Sequence, residues 1–363
     1  MCGIVGYVGP KPALEVVVEG LARLEYRGYD SAGVAVLSDG KLQTEKRAGK
    51  LANLRAALKE NPRSADGIGI GHTRWATHGA PTDGNAHPHV DNANRVAVIH
   101  NGIIENFAQL RVELEERGCK FRSETDTEVV AHLLSEELAE RGDNDLGAAM
   151  RSVCRRLEGA FTLVAISEDA PDLVVAARRN SPLVVGRGDG ENFLASDVAA
   201  FIAHTRDAIE LGQDQVVELR ADSITVTDYD GAPAPVREYH VDWDASAAEK
   251  GGYEYFMLKE IVEQPRAVAD TLLGRVAVDG TLTLDEMRLA PHELREISKI
   301  VIIACGTSYH AGLIAKYAIE HWCRIPCEVE VASEFRYRDP ILDRQTLVIA
   351  ISQSGESMDT LMA

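Results

Sequence analysis

The chain opens with an apolar run and then a helical pattern. The run from Ile4 to Val8 predicts a strand that ends at Gly9-Pro10. Apolar residues then recur at spacings of three and four, the period of one helix face, and predict a helix that ends before Gly28: Leu14, Val17, Val18, Leu21 and Leu24. The first 30 residues therefore predict a strand followed by an amphipathic helix.

Further helices and a series of short strands follow. Thr125 and Glu128 have the spacing of a capping box and predict a helix that stops at Gly142. A third helix is indicated from Leu146 to Leu157. Apolar runs between turn residues predict strands at 160–167, 172–177, 182–186, 192–196, 215–220 and 223–228. Helices combined with such strands indicate a layered α+β domain over residues 1–230.

The pattern changes in the last third of the chain. Residues 231–252 are rich in Pro, Gly, Ala, Ser and Asp and predict a linker. After a helix at about 253–273, strands and a helix alternate: strand 299–305, helix 308–322, and strands 327–332 and 346–351. This alternation predicts a parallel α/β sheet. Because the chain reaches Ala363 inside the next predicted helix, we expect a truncated domain over 253–363.

Composition narrows the function classes. The 363 residues are 45% hydrophobic and 26% charged, and the formal net charge of −19 disfavours a nucleic-acid partner. No apolar stretch is long enough for a membrane helix, and no signal-type N-terminus is present. The six cysteines form no CxxC pair. We expect a cytoplasmic protein without a membrane or nucleic-acid partner.

Cys2 is the first candidate for chemistry. Removal of Met1 would place a thiol and a free α-amine on the same residue. An α-amine titrates near 7.7–8.0 and a thiol near about 8.5, so the amine can take the thiol proton at neutral pH. Such a nucleophile carries its own base. A cysteine at position 2 can also be incidental, and the surrounding motifs decide between the two interpretations.

Six motifs in order carry a resemblance to a known family. They are CGIVG at 2–6, EYRGYDSAG at 25–33, GHTRWATHG at 71–79, NAHPH at 85–89, HNGIIEN at 100–106 and SETDTE at 123–128. Together they resemble the class II glutamine amidotransferase domain, which implies the αββα fold of N-terminal-nucleophile hydrolases. The YRGYDSAG and THGAPTDGNAHPH segments are most similar to the isomerising aminotransferases that use L-glutamine and fructose 6-phosphate. The resemblance covers essentially the whole chain.

The resemblance implies roles for individual residues. Cys2 would attack the glutamine side-chain amide and form a glutamyl thioester with release of ammonia. Arg74 would clamp the substrate α-carboxylate, and Asp126 would pair with its α-ammonium, although a carboxylate at a helix start is favourable in any case. Asn101 and Gly102 would stabilise the oxyanion, and the pair is equally typical of a type I′ hairpin turn.

Further positions follow from the same motifs. Arg27 would stabilise the surroundings of the nucleophile. The alternative interpretation is that Arg27 is a solvated arginine at a helix end. A loop that closes over glutamine would include Trp75, Thr77 and His78.

Two small-residue turns in the last third resemble a sugar isomerase (SIS) domain. CGTS at 305–308 and SQSGES at 352–357 each lie between a predicted strand and a predicted helix, where parallel sheets bind phosphate groups. The positions that match the sugar-phosphate contacts are Thr307, Ser308, Ser352, Gln353, Ser354 and Ser357. The lysine, glutamate and histidine that isomerise the sugar in this family have no counterpart here, so we expect glutaminase activity alone from this chain.

No cofactor or metal is predicted. The histidines near the motifs lack a converging carboxylate or cysteine ligand set, and the glycine-rich segments at 67–71 and 186–190 lack the spacing of a dinucleotide loop. The resemblance implies a homodimer for full-length members. Two alternatives stay open: another class II amidotransferase, such as a purine-biosynthetic enzyme or asparagine synthase, and a non-enzymatic sugar-phosphate sensor.

Overall fold

The structure is a computed structural model. It describes residues 2–61, 67–75, 78–242, 253, 255–272, 275, 289–353, 355 and 357–363. The chain divides into two compact units, Met1–Phe256 and Met257–Ala363.

The first unit contains two antiparallel sheets and their covering helices. Its strands are β1 (Gly3–Val8), β2 (Ser31–Ser38), β3 (Lys41–Ala48), β4 (Ile68–Arg74), β5 (His89–Val90), β6 (Val96–Ile104), β7 (Gly159–Ser167), β8 (Ala170–Arg179), β9 (Val184–Arg187), β10 (Asn192–Ala195), β11 (Asp207–Glu210), β12 (Gln215–Leu219), β13 (Ile224–Asp228) and β14 (Arg237–His240). Its helices are α1 (Ala13–Arg23), α2 (Leu51–Glu60), α3 (Phe107–Glu116), α4 (Glu128–Arg141) and α5 (Leu146–Arg156), with 3₁₀ turns at Glu25–Arg27 and Val198–Ala200.

The two sheets lie face to face. One has the strand order β14-β11-β9-β10-β1-β4-β2-β3, and the other has the order β13-β12-β8-β7-β6-β5. Alternating residues of β1 and β6 point to opposite faces, so Ile4 and Ile99 enter the core between the sheets, whereas Val5 and Val98 face outward. Both sheets are therefore apolar on both faces and need a helical cover on the outside.

The helices supply that cover. Val17 and Leu21 of α1 pack against the outer face of the eight-stranded sheet. Val130 and Leu134 of α4 pack, together with α5, against the outer face of the six-stranded sheet. The result is four layers, α, β, β and α, as the resemblance implied.

Three local predictions from the sequence need correction. The predicted capping box is wrong, because α4 begins only at Glu128, whose carboxylate accepts from the backbone N–H groups of Arg122 and Ser123 at 2.8 and 2.7 Å. Asn101-Gly102 is not a hairpin turn, because β6 continues through it and pairs with β7 as far as Ile104. The segment predicted as a linker contains β14, which pairs with β11. Residues 243–252 of that segment lie outside the described residues.

The second unit contains a parallel sheet. Its elements are α6 (Phe256–Leu272), α7 (Pro291–Glu296), β15 (Lys299–Ala304), α8 (Gly306–Trp322), β16 (Cys327–Val331), α9 (Ala332–Tyr337), β17 (Thr346–Ile351) and α10 (Met358–Met362). The strand order is β16-β15-β17, and both pairings are parallel. Because β15 is central, the chain leaves it on one side for β16 and returns on the other side for β17. This reversal creates a crevice at the carboxyl ends of β15 and β17.

No helix among the described residues is both long and apolar enough to cross a membrane.

Candidate active site

Cys2 lies at the start of β1, in the middle of the eight-stranded sheet. Gly3 pairs with Thr73 of β4, so the end of β4 lies beside the thiol. The backbone N–H of Trp75 donates to Cys2 Sγ at 3.1 Å. Burial raises the pKa of the Cys2 thiol, against the opposing effects of this hydrogen bond and of the Arg74 charge. The thiol therefore needs a base to become a thiolate at neutral pH.

Asn101 reaches the same place from the other sheet. Its Nδ2 donates to the backbone oxygen of Cys2 at 3.0 Å. An amide nitrogen carries two hydrogens, so Nδ2 is able to donate a second time. Gly102 follows with φ +117°, and a Cβ there would lie 2.0 Å from the carbonyl oxygen of Ala160. Only glycine fits at this position of β6 without moving β7.

Arg74 is the last residue of β4 and is 4% exposed. Its guanidinium donates to the carbonyls of His78, Gly79 at 3.4 Å and Ala80 at 3.5 Å. These bonds hold the loop after β4 against the strand. Because the charges of Asp126 and Cys2 also act on this guanidinium, it lies within electrostatic reach of both groups.

Asp126 lies in the turn before α4 and is 4% exposed. The backbone N–H of Ile104 donates to its Oδ2 at 2.9 Å, which ties the turn to the end of β6. The turn is also fixed by Glu128, whose Oε2 accepts from the Ser123 hydroxyl at 2.6 Å. The His132 ring 3.7 Å away and the hydrogen bonds that Ser123 and Arg122 donate outweigh burial and lower the pKa of Glu128 to about 2. The carboxylates of Asp126 and Glu128 thus both accept hydrogen bonds that fix this turn, and Asp126 is the one that lies beside β6.

Four buried histidines form a cluster behind Asn101, which we call the histidine stack: His72, His87, His89 and His100. The rings of His72 and His87 stack with centroids 4.3 Å apart, and the rings of His87 and His89 meet edge to face at 4.8 Å. Burial lowers the pKa of all four, and to about 3 for His72. Their ring nitrogens bond to Asn101, Thr125 and Thr127. Within the described residues no group of histidine, cysteine or carboxylate side chains is arranged to hold a metal ion.

The histidine stack predicts acid sensitivity. A histidine whose pKa is lowered on folding binds a proton in the unfolded chain first, so its stabilising contribution is complete above about pH 6.5 and is lost as the pH falls below that value. His72, His87 and His89, whose pKa values burial lowers furthest, should each cost about 1.4 kcal/mol of unfolding free energy between pH 7.5 and 5.5. We expect the free energy of unfolding to fall by several kcal/mol over this interval, which a lower midpoint of urea unfolding would show. The exposed His240, changed to Gln, is the control that should leave the fall unchanged, and a constant midpoint would refute the neutral stack.

The remaining predicted glutamine contacts lie around this centre. Trp75 is 46% exposed, and its ring meets Tyr29 edge to face at 5.3 Å. The His78 ring meets Phe107 in the same way at 5.3 Å. Thr77 lies outside the described residues. Arg27 is buried and forms an ion pair with Asp197, so it is not a solvated arginine at a helix end.

Two of these groups could not be found from the motifs alone. His72 lies within GHTRWATHG, but its contact with Asn101 depends on the approach of two sheets. Asp197 lies far from the Arg27 motif in sequence, and a buried arginine requires such a carboxylate partner. A search for acidic residues next to predicted turns would have included Asp197 among many others.

The two turns of the second unit lie at the carboxyl ends of neighbouring strands. Thr307 and Ser308 are in the first turn of α8, after β15, and Ser352 and Gln353 follow β17. Ser357 is the N-cap residue of α10, and Thr360 of α10 contacts Cys305 at 3.8 Å. The turns therefore share the crevice beside β15. Ser354 lies outside the described residues.

The comparisons with known proteins agree with this geometry. The family model described as a glutamine amidotransferase domain matches residues 41–232, and the model described as a SIS domain matches residues 293–363. The chain is 75% identical over 363 residues to the glutamine–fructose-6-phosphate aminotransferase [isomerizing] of Streptomyces coelicolor, and 61% identical over 372 residues to that of Mycobacterium tuberculosis. Each match covers 100% of this chain and 59% of the relative, so the chain spans about three fifths of the length of these curated relatives.

Solved structures support the same fold. The structure of the glutamine phosphoribosylpyrophosphate amidotransferase from B. subtilis matches with a TM-score of 0.55 at 20% identity, over 94% of this chain and 69% of that chain. A structure titled as the allosteric regulatory enzyme of purine biosynthesis matches with a TM-score of 0.53 at 26% identity, over 63% of this chain and 49% of that chain. The four layers, with Cys2 at the start of a central strand, define the N-terminal-nucleophile hydrolase class. The chain belongs to the glutamine amidotransferase family, and a SIS-type parallel sheet follows that domain.

Proposed function

We propose that this chain hydrolyses L-glutamine to glutamate and ammonia through a thioester on Cys2, as the glutaminase part of an enzyme that makes glucosamine 6-phosphate from fructose 6-phosphate and glutamine. The observation that carries the proposal is the contact set of Cys2. Its thiol accepts from the Trp75 N–H, its carbonyl accepts from Asn101, and the charge of Arg74 acts on the thiol.

The chemistry follows from these groups. After removal of Met1, the α-amine of Cys2 takes the thiol proton, and Sγ attacks the amide carbon of the substrate side chain. The carbonyl oxygen becomes an oxyanion, which Asn101 Nδ2 and the Gly102 N–H stabilise. When the C–N bond breaks, the ammonium returns the proton to the leaving nitrogen and ammonia departs. Water then attacks the thioester carbon while the α-amine takes its proton, the C–S bond breaks, glutamate is released, and the ammonium returns the proton to the thiolate.

Arg74 and Asp126 bind the other end of glutamine in this proposal. A guanidinium pairs with the α-carboxylate through two parallel hydrogen bonds, and a carboxylate pairs with the α-ammonium. Arg27, fixed by Asp197, steadies the surroundings of Cys2. Trp75, Thr77 and His78 form the loop that closes over the substrate.

The second unit is proposed to bind fructose 6-phosphate. Parallel sheets bind ligands beyond the carboxyl ends of their strands at a reversal of strand order, and helix N-termini with hydroxyl groups suit phosphate. The proposed contacts are Thr307, Ser308, Ser352, Gln353, Ser354 and Ser357. The names of the curated relatives support this choice over a purine-biosynthetic amidotransferase or a sensor.

Product release measured in the presence and absence of the sugar tests the proposal. We expect the purified chain to release equal amounts of glutamate and ammonia from glutamine, and the rate to respond to fructose 6-phosphate but not to phosphoribosyl pyrophosphate. A response to phosphoribosyl pyrophosphate alone would instead favour the purine-biosynthetic class. No release at all would contradict the glutaminase assignment.

Replacing Arg74 by Lys is predicted to weaken glutamine binding. Lysine cannot form two parallel hydrogen bonds, and a hydrogen bond to a charged group contributes about 1.5–3 kcal/mol, so KM should rise by about 10- to 100-fold while kcat changes less. Steady-state glutamate release gives both constants. Arg220→Lys, at an exposed ion pair with Asp172, is the matched control and should leave KM unchanged. An unchanged KM in Arg74→Lys would remove Arg74 from the binding site.

A further inference from the structure

One ring of the histidine stack contacts the side chain that faces the nucleophile. His72 Nε2 lies 2.9 Å from Asn101 Oδ1. The two ends of this amide can be told apart, because one of them meets the Cys2 carbonyl, which can only accept and therefore faces Nδ2. Oδ1 therefore faces His72, and Nε2 of His72 must carry the hydrogen that joins them. His72 is a neutral imidazole with Nδ1 unprotonated.

The protonation of the neighbouring rings follows from one backbone group. The His100 backbone N–H donates to His87 Nδ1 at 3.3 Å, so neutral His87 carries its hydrogen on Nε2. That Nε2–H faces Thr127 Oγ1 at 3.2 Å, and the same oxygen lies 2.9 Å from His100 Nδ1. His72 and His87 thus each have one defined tautomer. A proton added to the stack would replace an acceptor by a donor at one of these contacts.

The position of the His72 ring is equally defined. His72 is 1% exposed, and it lies on β4 between Ile4 of β1 and Gly33 of β2. Its ring stacks on His87 with an interplanar angle of 28°. Its Nδ1 has no hydrogen-bond partner within the described part of the chain. With Nδ1–H in place of Nε2–H, two acceptors would face each other at Asn101 and a buried donor would be left unpaired.

We infer that His72 is a positioning residue, which holds the Asn101 amide with Nδ2 toward Cys2 and thereby sets the oxyanion donor. The inference rests on the proposed glutaminase function. His72 does not touch the thiol in the contacts of this site, so it acts through Asn101. Without it the Asn101 amide can rotate and present Oδ1, which would repel the oxyanion.

Variants of His72 separate this role from a merely structural one. Gln places its Nε2 near the position of the His Nε2, whereas Asn is too short and Leu has no donor. We expect kcat for glutamine hydrolysis to fall about 10²-fold in His72→Leu and His72→Asn, as on loss of an oxyanion donor, and to recover at least about tenfold in His72→Gln. KM should change less than about threefold, because Arg74 and Asp126 are untouched. Iodoacetamide should alkylate Cys2 at an unchanged rate, because that displacement forms no oxyanion.

The matched control is His204→Leu. His204 is a partly buried histidine of the same unit whose ring stacks on Phe193 at 5.0 Å and whose Nε2 has no partner among the described residues. It should retain wild-type kcat. Equal activities of His72→Gln and His72→Asn, or a kcat of His72→Leu within threefold of wild type, would overturn the inference.

A measurement on the wild-type chain tests the inference even if the His72 variants fail to fold. Nitrogen NMR of histidine-labelled protein should show His72 with Nε2 protonated and Nδ1 unprotonated at neutral pH. The opposite tautomer, or an imidazolium, would overturn the inference directly. If wild type releases no glutamate, the proposed function fails, and the tautomer is still decided by this spectrum.

Discussion

Cys2→Ala should release glutamate from glutamine at least about 10⁴-fold more slowly than wild type, because removal of a covalent nucleophile leaves only binding and oxyanion stabilisation. The thiol forms hydrogen bonds only with the Trp75 backbone among the contacts of this site, so the fold should be retained. Cys2→Ser should also be slower than wild type, since a hydroxyl gives up its proton far less readily than a thiol. Stopped assays of glutamate over hours would give the rates.

Cys119→Ala is the matched control for the nucleophile. Cys119 is also a partly exposed cysteine of the first unit, and it lies beside Glu136 rather than beside Asn101. Its loss should leave the glutaminase rate unchanged. If Cys2→Ala keeps more than a tenth of the wild-type rate, a thioester on Cys2 does not carry the reaction.

Gly102→Ala should lower kcat by about 10²- to 10³-fold, the loss typical of one oxyanion donor. The new Cβ would lie 2.0 Å from the Ala160 carbonyl oxygen, so β6 must move away from β7 at the point where it presents the Gly102 N–H to the substrate. The residue also has φ +117°, which costs a side chain about 1–3 kcal/mol. Both kcat and the midpoint temperature of thermal unfolding should therefore be lower than in wild type.

Gly118→Ala separates these two effects. Gly118 also has a positive φ of +95°, but a Cβ there meets nothing within 4 Å. It should reduce the thermal midpoint by a few degrees and leave kcat unchanged. A Gly102→Ala variant with kcat within threefold of wild type would show that the backbone at this position does not serve the oxyanion.

Much of the fold was accessible from local patterns. The predicted helix after β1 corresponds to α1, and Gly142 ends α4 in the left-handed conformation with φ 65°. Strands that are apolar on both faces, such as β6, were harder to delimit, because apolar and polar residues do not alternate along their sequence. A type I′ turn was accordingly one interpretation of Asn101-Gly102, where the ladder with β7 in fact continues.

Residues of the candidate site could be predicted only where a motif contains them. Cys2, Arg74, Asn101 and Asp126 all belong to motifs, and the structure places them before β1, at the end of β4, within β6 and in the turn before α4. The contact between His72 and Asn101 was not predictable, because it joins strands of different sheets. Hydrophobic periodicity determines which face of a strand is buried, but it does not determine which strand of the facing sheet lies opposite.

The most direct test of the central claim is the intact mass of the purified chain before and after treatment with 6-diazo-5-oxo-L-norleucine, followed by peptide mapping. The account predicts a chain that lacks Met1 and gains one adduct, located on Cys2, and excess glutamine should slow the labelling. A chain that retains Met1, or that carries no adduct on Cys2, would contradict a nucleophile whose own α-amine is the base.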